Sequence, residues 1–243
     1  MITVLRSAWI WFATAFIVLM WVPLLRLVIA FDRDPMRRRT ARWFRRLGPA
    51  VARVNPAWNV RIVGREHIDP SQVYVIVSNH QSLADIPLIA HLGMDAKWLG
   101  KMELLRFPVF GWMMRESGDI GVDRADRRKA AQALLQCARC LKQGMSVMFF
   151  PEGTRSQSGV VLPFNDGPFQ LAIRESKPVL PLVVEGTGTA LPRSTWKFGP
   201  TQDIWLRVLP AVPAGTHPDA ATLREGVRQL IVDELERVRQ GGQ

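Results

Sequence analysis

The sequence predicts an α/β domain with a mixed, mostly parallel sheet flanked by helices, preceded by an N-terminal apolar helix or helical hairpin. After residue 60, short apolar runs alternate with longer helical patterns, which is typical of strands covered by helices on both faces. Before residue 60 lie an uncharged apolar segment and an arginine-rich segment. We therefore divide the 243 residues into a membrane-anchoring helix with a basic juxtamembrane helix, residues 1–58, and an α/β domain, residues 59–243.

The apolar segment runs from Ser7 to Leu25, nineteen residues without a charge. At ~1.5 Å per residue, a helix of this length covers about 29 Å, which matches the hydrocarbon core of a bilayer. Arg26 follows closely enough to reach the head-group region. Two arrangements stay open: a helix that spans the membrane, or an interfacial hairpin that bends at Pro23 and pairs with the next helix.

The arginine-rich segment, residues 31–65, holds ten arginines and two acids, a balance of +8 within a net charge of +11. Cations directly after an apolar segment mark the cytoplasmic side of a membrane and bind anionic lipids. We therefore predict a membrane protein with its α/β domain on the cytoplasmic face, and anionic lipids rather than nucleic acid as partners. The composition, 48% hydrophobic and 22% charged, excludes a disordered chain and a multi-span membrane protein.

Seven apolar runs predict the strands of the domain, at residues 60–63, 73–78, 98–99, 120–122, 146–150, 179–184 and 204–208. Two long amphipathic patterns predict helices over residues 125–143 and 219–239. Cys137 and Cys140, the two cysteines of the chain, lie on the first of these helices and are interpreted as packing residues. The apolar face of the second is formed by Leu223, Val227, Leu230, Ile231, Leu235 and Val238.

A first polar cluster follows the run at 73–78 and contains His80 and, five residues later, Asp85. Two residues five apart point in different directions on one helix, so we expect His80 to lie in a loop and Asp85 in the first turn of the next helix. The carboxylate then orients the imidazole as a general base, and backbone N–H groups near the start of that helix stabilise an oxyanion. The alternative is structural, because Ser82 and Asp85 also form a capping-box pattern.

A second polar cluster, Pro151–Ser156, follows the run at 146–150. In a tight loop, its backbone N–H groups, the hydroxyls of Thr154 and Ser156, and the guanidinium of Arg155 could converge on one anion. The alternative is a surface turn with an Arg–Glu pair. A third cluster, Gly118–Arg124, offers Arg124 at another strand end. The remaining histidines are scattered and predict no metal site.

These clusters together resemble the glycerolipid acyltransferase family, in particular its 1-acyl-glycerol-3-phosphate acyltransferases. Four motifs stand in the family's order between about Val73 and Gly186, nearly half of the chain. They are Asn79-His80-x4-Asp85 (the HX4D motif), Gly118 to Arg124, Phe150-Pro151-Glu152-Gly153-Thr154-Arg155-Ser156, and Val179-Leu180-Pro181-Leu182-Val183.

The resemblance implies an α/β acyltransferase domain that moves a fatty acyl chain from acyl-CoA or acyl carrier protein to a lysophospholipid acceptor. Phosphatidate made from 1-acyl-glycerol-3-phosphate is the implied product, and neither a cofactor nor a metal is implied. His80 is implied as the catalytic base and Asp85 as its orienting partner. The implied binding residues for the glycerol-phosphate end are Arg124, Glu152, Gly153, Thr154 and Arg155. By charge, we expect Glu152 to fix an arginine or to accept from the acceptor hydroxyl instead of binding phosphate.

Two positions depart from the family's pattern. Gly121 stands where an aromatic residue is common, and Asn165 stands where relatives commonly carry a lysine, with Asp166 beside it. The loss of that cation makes an amino-acid-containing acceptor such as lyso-ornithine lipid an alternative, as are lysophospholipid remodelling and transacylation without CoA. A non-catalytic peripheral lipid-binding protein is the alternative from another class. Chain length, donor identity and oligomeric state are not predicted.

Overall fold

The structure, a computed structural model, describes residues 2–123 and 125–241. Seven strands lie in these residues, and all seven predicted runs are confirmed as strands: β1 Trp58–Val63, β2 Val75–Ser78, β3 Ala96–Lys101, β4 Ile120–Val122, β5 Ser146–Phe149, β6 Val179–Glu185 and β7 Gln202–Val208. The described α-helices are α1 Ile2–Phe31, α2 Arg38–Arg53, α3 Asp85–Ile89, α4 Phe110–Glu116, α5 Arg127–Lys142, α6 Gly167–Arg174, α7 Thr187–Ala190 and α8 Ala220–Arg239.

The chain packs as two compact units. The first contains the residues up to Pro56 together with Ile86–Met148, and the second contains Ala57–Asp85 together with the residues from Phe149 on. Pairing is parallel in both, apart from the antiparallel pair of β6 with β7, so the predicted mixed, mostly parallel arrangement is confirmed. The division at residue 58 into an anchor and a domain stays a prediction.

In the first unit, α1 is one continuous helix through Pro23, and α2 packs back against its second half. Leu25 of α1 is fully buried in a cluster with Phe44 of α2 and Met113 of α4. The indole Nε1 of Trp21 also donates to the carbonyl of Trp43 at 3.0 Å. The chain therefore turns from α1 into α2 after Phe31, and Pro23 lies inside a continuous helix.

The helix α1 is long and apolar enough to cross a membrane, with a mean hydropathy of 2.2 over eighteen residues of which 11% are buried. Its exposed side carries large apolar residues, among them Ile2, Leu5, Trp9, Phe12 and Phe16. Exposed apolar area of this kind marks a surface that meets lipid or another protein. The apolar segment from which the sequence predicts membrane association thus forms a helix that exposes an apolar face.

Strands β5, β3 and β4 lie in that order in the first unit, all parallel. Helix α5 covers them with Ala133, Cys137 and Leu141, which are buried. Burial raises the pKa of the Cys137 thiol to about 12, which fits the predicted packing role.

The second unit holds β1, β7, β6 and β2 in that order. Every residue of β2 and the first six residues of β6 are buried, as expected of strands covered on both faces. Helix α8 packs on β6, and five of its six predicted apolar residues are buried. Leu230 is 44% exposed, so its place on the core face is wrong, and Glu234 lies buried there because it pairs with Arg207 at 2.8 Å.

Candidate active site

The loop after β2 is anchored by the side chain of Asn79. Its Nδ2 donates to the carbonyl of Val184 at 2.9 Å, and its Oδ1 accepts from the N–H of Val184 at 2.8 Å. These two bonds continue the pairing of β2 with β6 by one residue through a side chain. They fix the point at which the chain leaves the strand, directly before His80.

His80 and Asp85 meet as the sequence predicts. His80 lies in the loop, Asp85 opens α3, and the distance from His80 Nδ1 to Asp85 Oδ2 is 2.7 Å. The same Oδ2 accepts from the backbone N–H groups of Gln81 at 2.8 Å and Ser82 at 2.9 Å. An oxygen that accepts from two N–H groups is the acceptor for the imidazole too, so Nδ1 carries a proton and Nε2 presents its lone pair.

Three backbone N–H groups near the start of α3, where we expect an oxyanion to be stabilised, already donate within the protein. Those of Gln81 and Ser82 are bound to Asp85, and that of Ala84 donates to Ser82 Oγ at 3.2 Å. In the described part of the chain, the backbone N–H groups of Thr154 and Arg155 make no hydrogen bond. The Pro151–Ser156 loop therefore offers two backbone donors that could bind an oxyanion.

Three contacts from Phe150 and the Pro151–Ser156 loop hold His80 in place. Its imidazole stacks on the ring of Phe150 with centroids 3.9 Å apart and planes at 17°. Its backbone N–H donates to Glu152 Oε1 at 2.7 Å, and its carbonyl accepts from the N–H of Ser156 at 2.8 Å. The first and third motifs are thus joined through the main chain of the histidine itself.

The hydrogen bonds of Glu152 go to backbone groups of its own unit. Its Oε1 accepts from His80 and its Oε2 from the N–H of Leu162 at 3.0 Å, so the hydrogen bonds it makes go to backbone and not to an arginine. Burial raises the pKa of Glu152 to about 7, and the nearby Asp85 acts in the same direction, while the two N–H donors and the charge of Arg228 oppose the shift. Glu152 is therefore a positioning residue for the loop that carries His80.

The Pro151–Ser156 loop is tight, as predicted. Gly153 has a φ of +74°, which favours glycine, and its N–H donates to the carbonyl of Phe150 at 3.0 Å. Asn165 holds the loop from outside, because its Nδ2 donates to the carbonyl of Pro151 at 2.7 Å. Thr154 is exposed, whereas the hydroxyl of Ser156 is buried without a hydrogen-bond partner.

Arg155 makes no ion pair or side-chain hydrogen bond within the described residues. Burial lowers the pKa of its guanidinium, the neighbouring Arg193 lowers it further, and Asp85 acts in the opposite direction. A guanidinium close to a second cation and to the His80–Asp85 pair is suited to binding an anion. The alternative interpretation of this loop, a surface pair of Arg155 with Glu152, does not describe the structure, because Glu152 binds two backbone N–H groups.

Arg124 lies outside the described residues, so the structure gives no account of its side chain. The rest of its cluster is placed in the first unit, where Asp119 is buried and pairs with Arg45. In the described residues, no group of three or more His, Cys, Asp or Glu side chains could hold a metal ion.

Sequence reasoning missed three residues that shape the site. Asn79 was visible only as part of a motif, and its strand-like bonds depend on β6, which lies a hundred residues later. In the sequence, Phe150 is the last residue of an apolar run, and nothing in that pattern indicates that its ring stacks on an imidazole. Arg193 stands alone in a polar loop, and only the fold brings its Nη1 to the carbonyl of Arg155 at 3.2 Å.

Known proteins with similar sequences identify the family of this chain. The sequence profile of the Acyltransferase family matches residues 59–185, just over half of the chain. A 1-acyl-sn-glycerol-3-phosphate acyltransferase from Chlamydomonas reinhardtii is 34% identical over 86% of this chain and 62% of the relative. The chloroplastic enzyme BAT2 of Brassica napus is 37% identical over 68% of this chain and 47% of the relative. The chain therefore spans about half to three fifths of the length of these relatives.

The fold has a counterpart among solved structures. The crystal structure of the 1-acyl-sn-glycerophosphate (LPA) acyltransferase PlsC from Thermotoga maritima matches with a TM-score of 0.85 and 26% sequence identity. The match covers 98% of this chain and 96% of that one. With the family profile across both polar loops and a solved relative along nearly the whole chain, this protein belongs to the Acyltransferase family.

Proposed function

We propose that this chain is a 1-acyl-sn-glycerol-3-phosphate O-acyltransferase, which moves an acyl chain from a thioester to the free hydroxyl of lysophosphatidate and so makes phosphatidate for phospholipid synthesis. One observation carries the proposal: the imidazole of His80 is 15% exposed, while the carboxylate that binds its Nδ1 is fully buried. A base of this kind is fixed on one side and accessible on the other. The names of the similar proteins support the substrate.

In the reaction, His80 Nε2 takes the proton from the acceptor hydroxyl as that oxygen forms a bond to the thioester carbonyl carbon. Asp85 keeps the imidazole oriented and stabilises its charge. The tetrahedral intermediate then breaks its carbon–sulfur bond, and the departing thiolate takes the proton from Nε2. His80 returns to its starting state, and the products are an ester and a free thiol.

The binding of the acceptor falls to the Pro151–Ser156 loop and, as implied by the motif, to Arg124. Arg155 supplies a cation, and the free N–H groups of Thr154 and Arg155 supply donors for an oxyanion or a phosphate oxygen. Gly153 contributes through the turn that exposes these groups. The donor is an acyl thioester of CoA or of acyl carrier protein, and both present the same reacting bond.

We also propose that residues 1–58 attach the enzyme to the cytoplasmic face of the membrane as an interfacial hairpin. Helix α2 carries exposed arginines, among them Arg39, Arg46 and Arg53, and packs along residues 17–29 of α1. An arginine-rich helix belongs at head-group level, so only residues 2–16 of α1 stay free to enter the bilayer. At ~1.5 Å per residue these cover about 22 Å, less than the hydrocarbon core. Flotation with anionic but not zwitterionic vesicles would support this arrangement.

The function is tested with the full chain in detergent, labelled acyl-CoA and a panel of acceptors. We expect phosphatidate from lysophosphatidate together with one equivalent of free thiol. If none of the lysolipids in the panel leads to thiol release, the proposal is contradicted and a non-catalytic lipid-binding protein is favoured. Acyl transfer between phospholipids in the absence of CoA would identify a transacylase instead.

One observation favours a second acceptor class. Asn165, at the position where relatives commonly carry a lysine, binds the carbonyl of Pro151, and Asp166 pairs with Arg224. Neither residue offers a cation for a phosphate monoester. A preference for lyso-ornithine lipid or another amino-containing lysolipid in the same panel would establish this alternative.

A further inference from the structure

A polar cavity of about 610 Å³ lies beside the catalytic loop, within the second unit. Gln81 and Ser156, which belong to the first and third motifs, line it together with amide and hydroxyl side chains such as Gln157, Ser158 and Thr189. The volume falls within the range of small-molecule sites. A lining of this chemistry suits the polar end of a substrate and not an acyl chain.

The charges of the cavity leave one cation without a counter-ion. Glu185, Arg193 and Arg239 line it. Glu185 Oε2 accepts from Arg239 Nη2 at 3.0 Å and from Gln81 Nε2 at 2.8 Å, so the carboxylate is already satisfied. In the described part of the chain no carboxylate pairs with Arg193, whose Nη1 donates to the carbonyl of Arg155.

A second, independent feature points into the same cavity. The hydroxyl of Ser156 is buried and has no hydrogen-bond partner in the described chain, an arrangement that costs free energy unless a ligand completes it. The N–H of Ser156 binds the carbonyl of His80 at 2.8 Å, so the hydroxyl is tied to the catalytic loop. Arg155, next along the chain, adds a second unpaired guanidinium close to Arg193.

We propose that Arg193 and Ser156 bind a phosphoryl group of a substrate in this cavity, an inference that rests on the proposed acyltransferase function. A phosphoryl group offers three oxygens to a guanidinium fork and a hydroxyl donor. Arg193 then supplies, from the loop after α7, the cation that Asn165 does not supply. The phosphoryl group has two sources with the same chemistry: the glycerol phosphate of the acceptor, or the phosphates of coenzyme A.

The test compares Arg193→Gln with a matched control, Lys197→Gln, in the full chain. Lys197 is an exposed cation on the same loop and does not line the cavity. KM and kcat are measured with lysophosphatidate varied at saturating acyl-CoA, and then with acyl-CoA varied at saturating lysophosphatidate. Thermal unfolding with glycerol 3-phosphate or coenzyme A provides a binding readout that needs no turnover.

We expect Arg193→Gln to raise one of the two KM values about tenfold or more, with kcat changed less than about twofold, the loss typical of one charge-assisted hydrogen bond. The substrate whose KM rises identifies the source of the phosphoryl group. Lys197→Gln should change neither value. Arg193→Lys should recover part of the loss because it restores the charge.

The inference is overturned if both KM values of Arg193→Gln stay within about twofold of the wild type, or if Lys197→Gln has an equal effect. If the wild-type chain shows no turnover, the proposed function fails, and the binding readout alone decides the site. Stabilisation of the wild type by either probe, lost in Arg193→Gln, supports the site; equal responses of the two proteins refute it.

Discussion

Two groups of positive charge in this chain have opposite environments. In the first unit, Arg45 and Lys97 are buried around Asp119, which binds the Arg45 guanidinium and also accepts from the N–H of Trp98 at 3.0 Å. The guanidinium of Arg45 lies over the Trp98 ring, 4.8 Å from its centroid, and the ammonium of Lys97 donates to the carbonyl of Ser117. These cations have partners within the protein.

In the second unit, Arg155 and Arg193 lie close together without a carboxylate partner in the described chain, beside a buried hydroxyl that is also unpartnered. A buried charge needs partners to be tolerated, whereas a cation kept unpaired near a reactive imidazole is available to a substrate. The charge of a side chain alone therefore does not identify a binding residue. What distinguishes the two groups is whether the protein itself supplies a partner for the charge. We therefore expect the first group to contribute to stability and the second to substrate binding.

The largest expected effect on the free energy of unfolding comes from the buried cluster around Asp119. Asp119→Ala leaves Arg45 and Lys97 without their carboxylate, and we expect the free energy of unfolding to fall by about 3–5 kcal/mol. Chemical denaturation measures it. The matched control is Asp123→Ala, an exposed carboxylate that pairs with exposed Lys129 at 3.3 Å, for which about 0.5 kcal/mol or less is expected. Equal losses in the two variants would refute the distinction.

A pH dependence should follow from Glu152. Because its folded pKa is raised to about 7 from 4.5, the folded state holds the proton more tightly than the unfolded state between these values. The free energy of unfolding should therefore fall as pH rises from about 4.5 to 7, by up to about 3 kcal/mol. Glu152→Gln should remove this slope and also lower kcat, since the amide offers only one acceptor to two N–H donors. An unchanged slope would show that burial does not govern this carboxyl.

The two hydrogen bonds by which Asn79 continues the pairing of β2 with β6 should contribute less to the free energy of unfolding. Asn79→Ala loses two buried hydrogen bonds and leaves both backbone groups of Val184 unsatisfied, so we expect a loss of about 2 kcal/mol in unfolding free energy. Activity should fall too, because His80 follows directly. Asn59→Ala, at an exposed position on β1, serves as the comparison and should change stability little. If the two variants behaved alike, the anchoring role would be lost.

The smallest effect on stability is expected for Arg155, which belongs to the second group of cations. Arg155→Gln should leave the free energy of unfolding within about 0.5 kcal/mol of the wild type, while kcat/KM for lysophosphatidate falls about tenfold or more. Arg61→Gln, an exposed arginine on β1, is the matched control for activity. A stability loss without an activity loss would move Arg155 into the structural group.

Much of the fold was predictable because buried strands and amphipathic helices have clear periodicities. The exceptions have physical causes. The sequence predicts β3 only at Trp98 and Leu99, because Lys97 and Lys101 resemble surface charges, yet Lys97 is buried and burial lowers its pKa to about 8. Glu234 on α8 is likewise buried through an ion pair with Arg207 that periodicity cannot reveal.

For the site, the spacing of His80 and Asp85 was informative because a loop followed by a helix turn brings them together by local geometry alone. The role of Glu152 was not predictable, since its partners are backbone N–H groups, which every residue carries. Arg193 was not predictable either, because its place beside Arg155 depends on the path of a distant loop.

The proposed reaction depends most on His80 as the base. The direct test is thiol release from acyl-CoA in the presence of lysophosphatidate, with purified wild-type and His80→Ala proteins whose unfolding temperatures have been compared. We predict a folded variant whose rate is lower by a factor of about 10² to 10⁴. A folded His80→Ala protein that releases thiol at close to the wild-type rate would contradict the account.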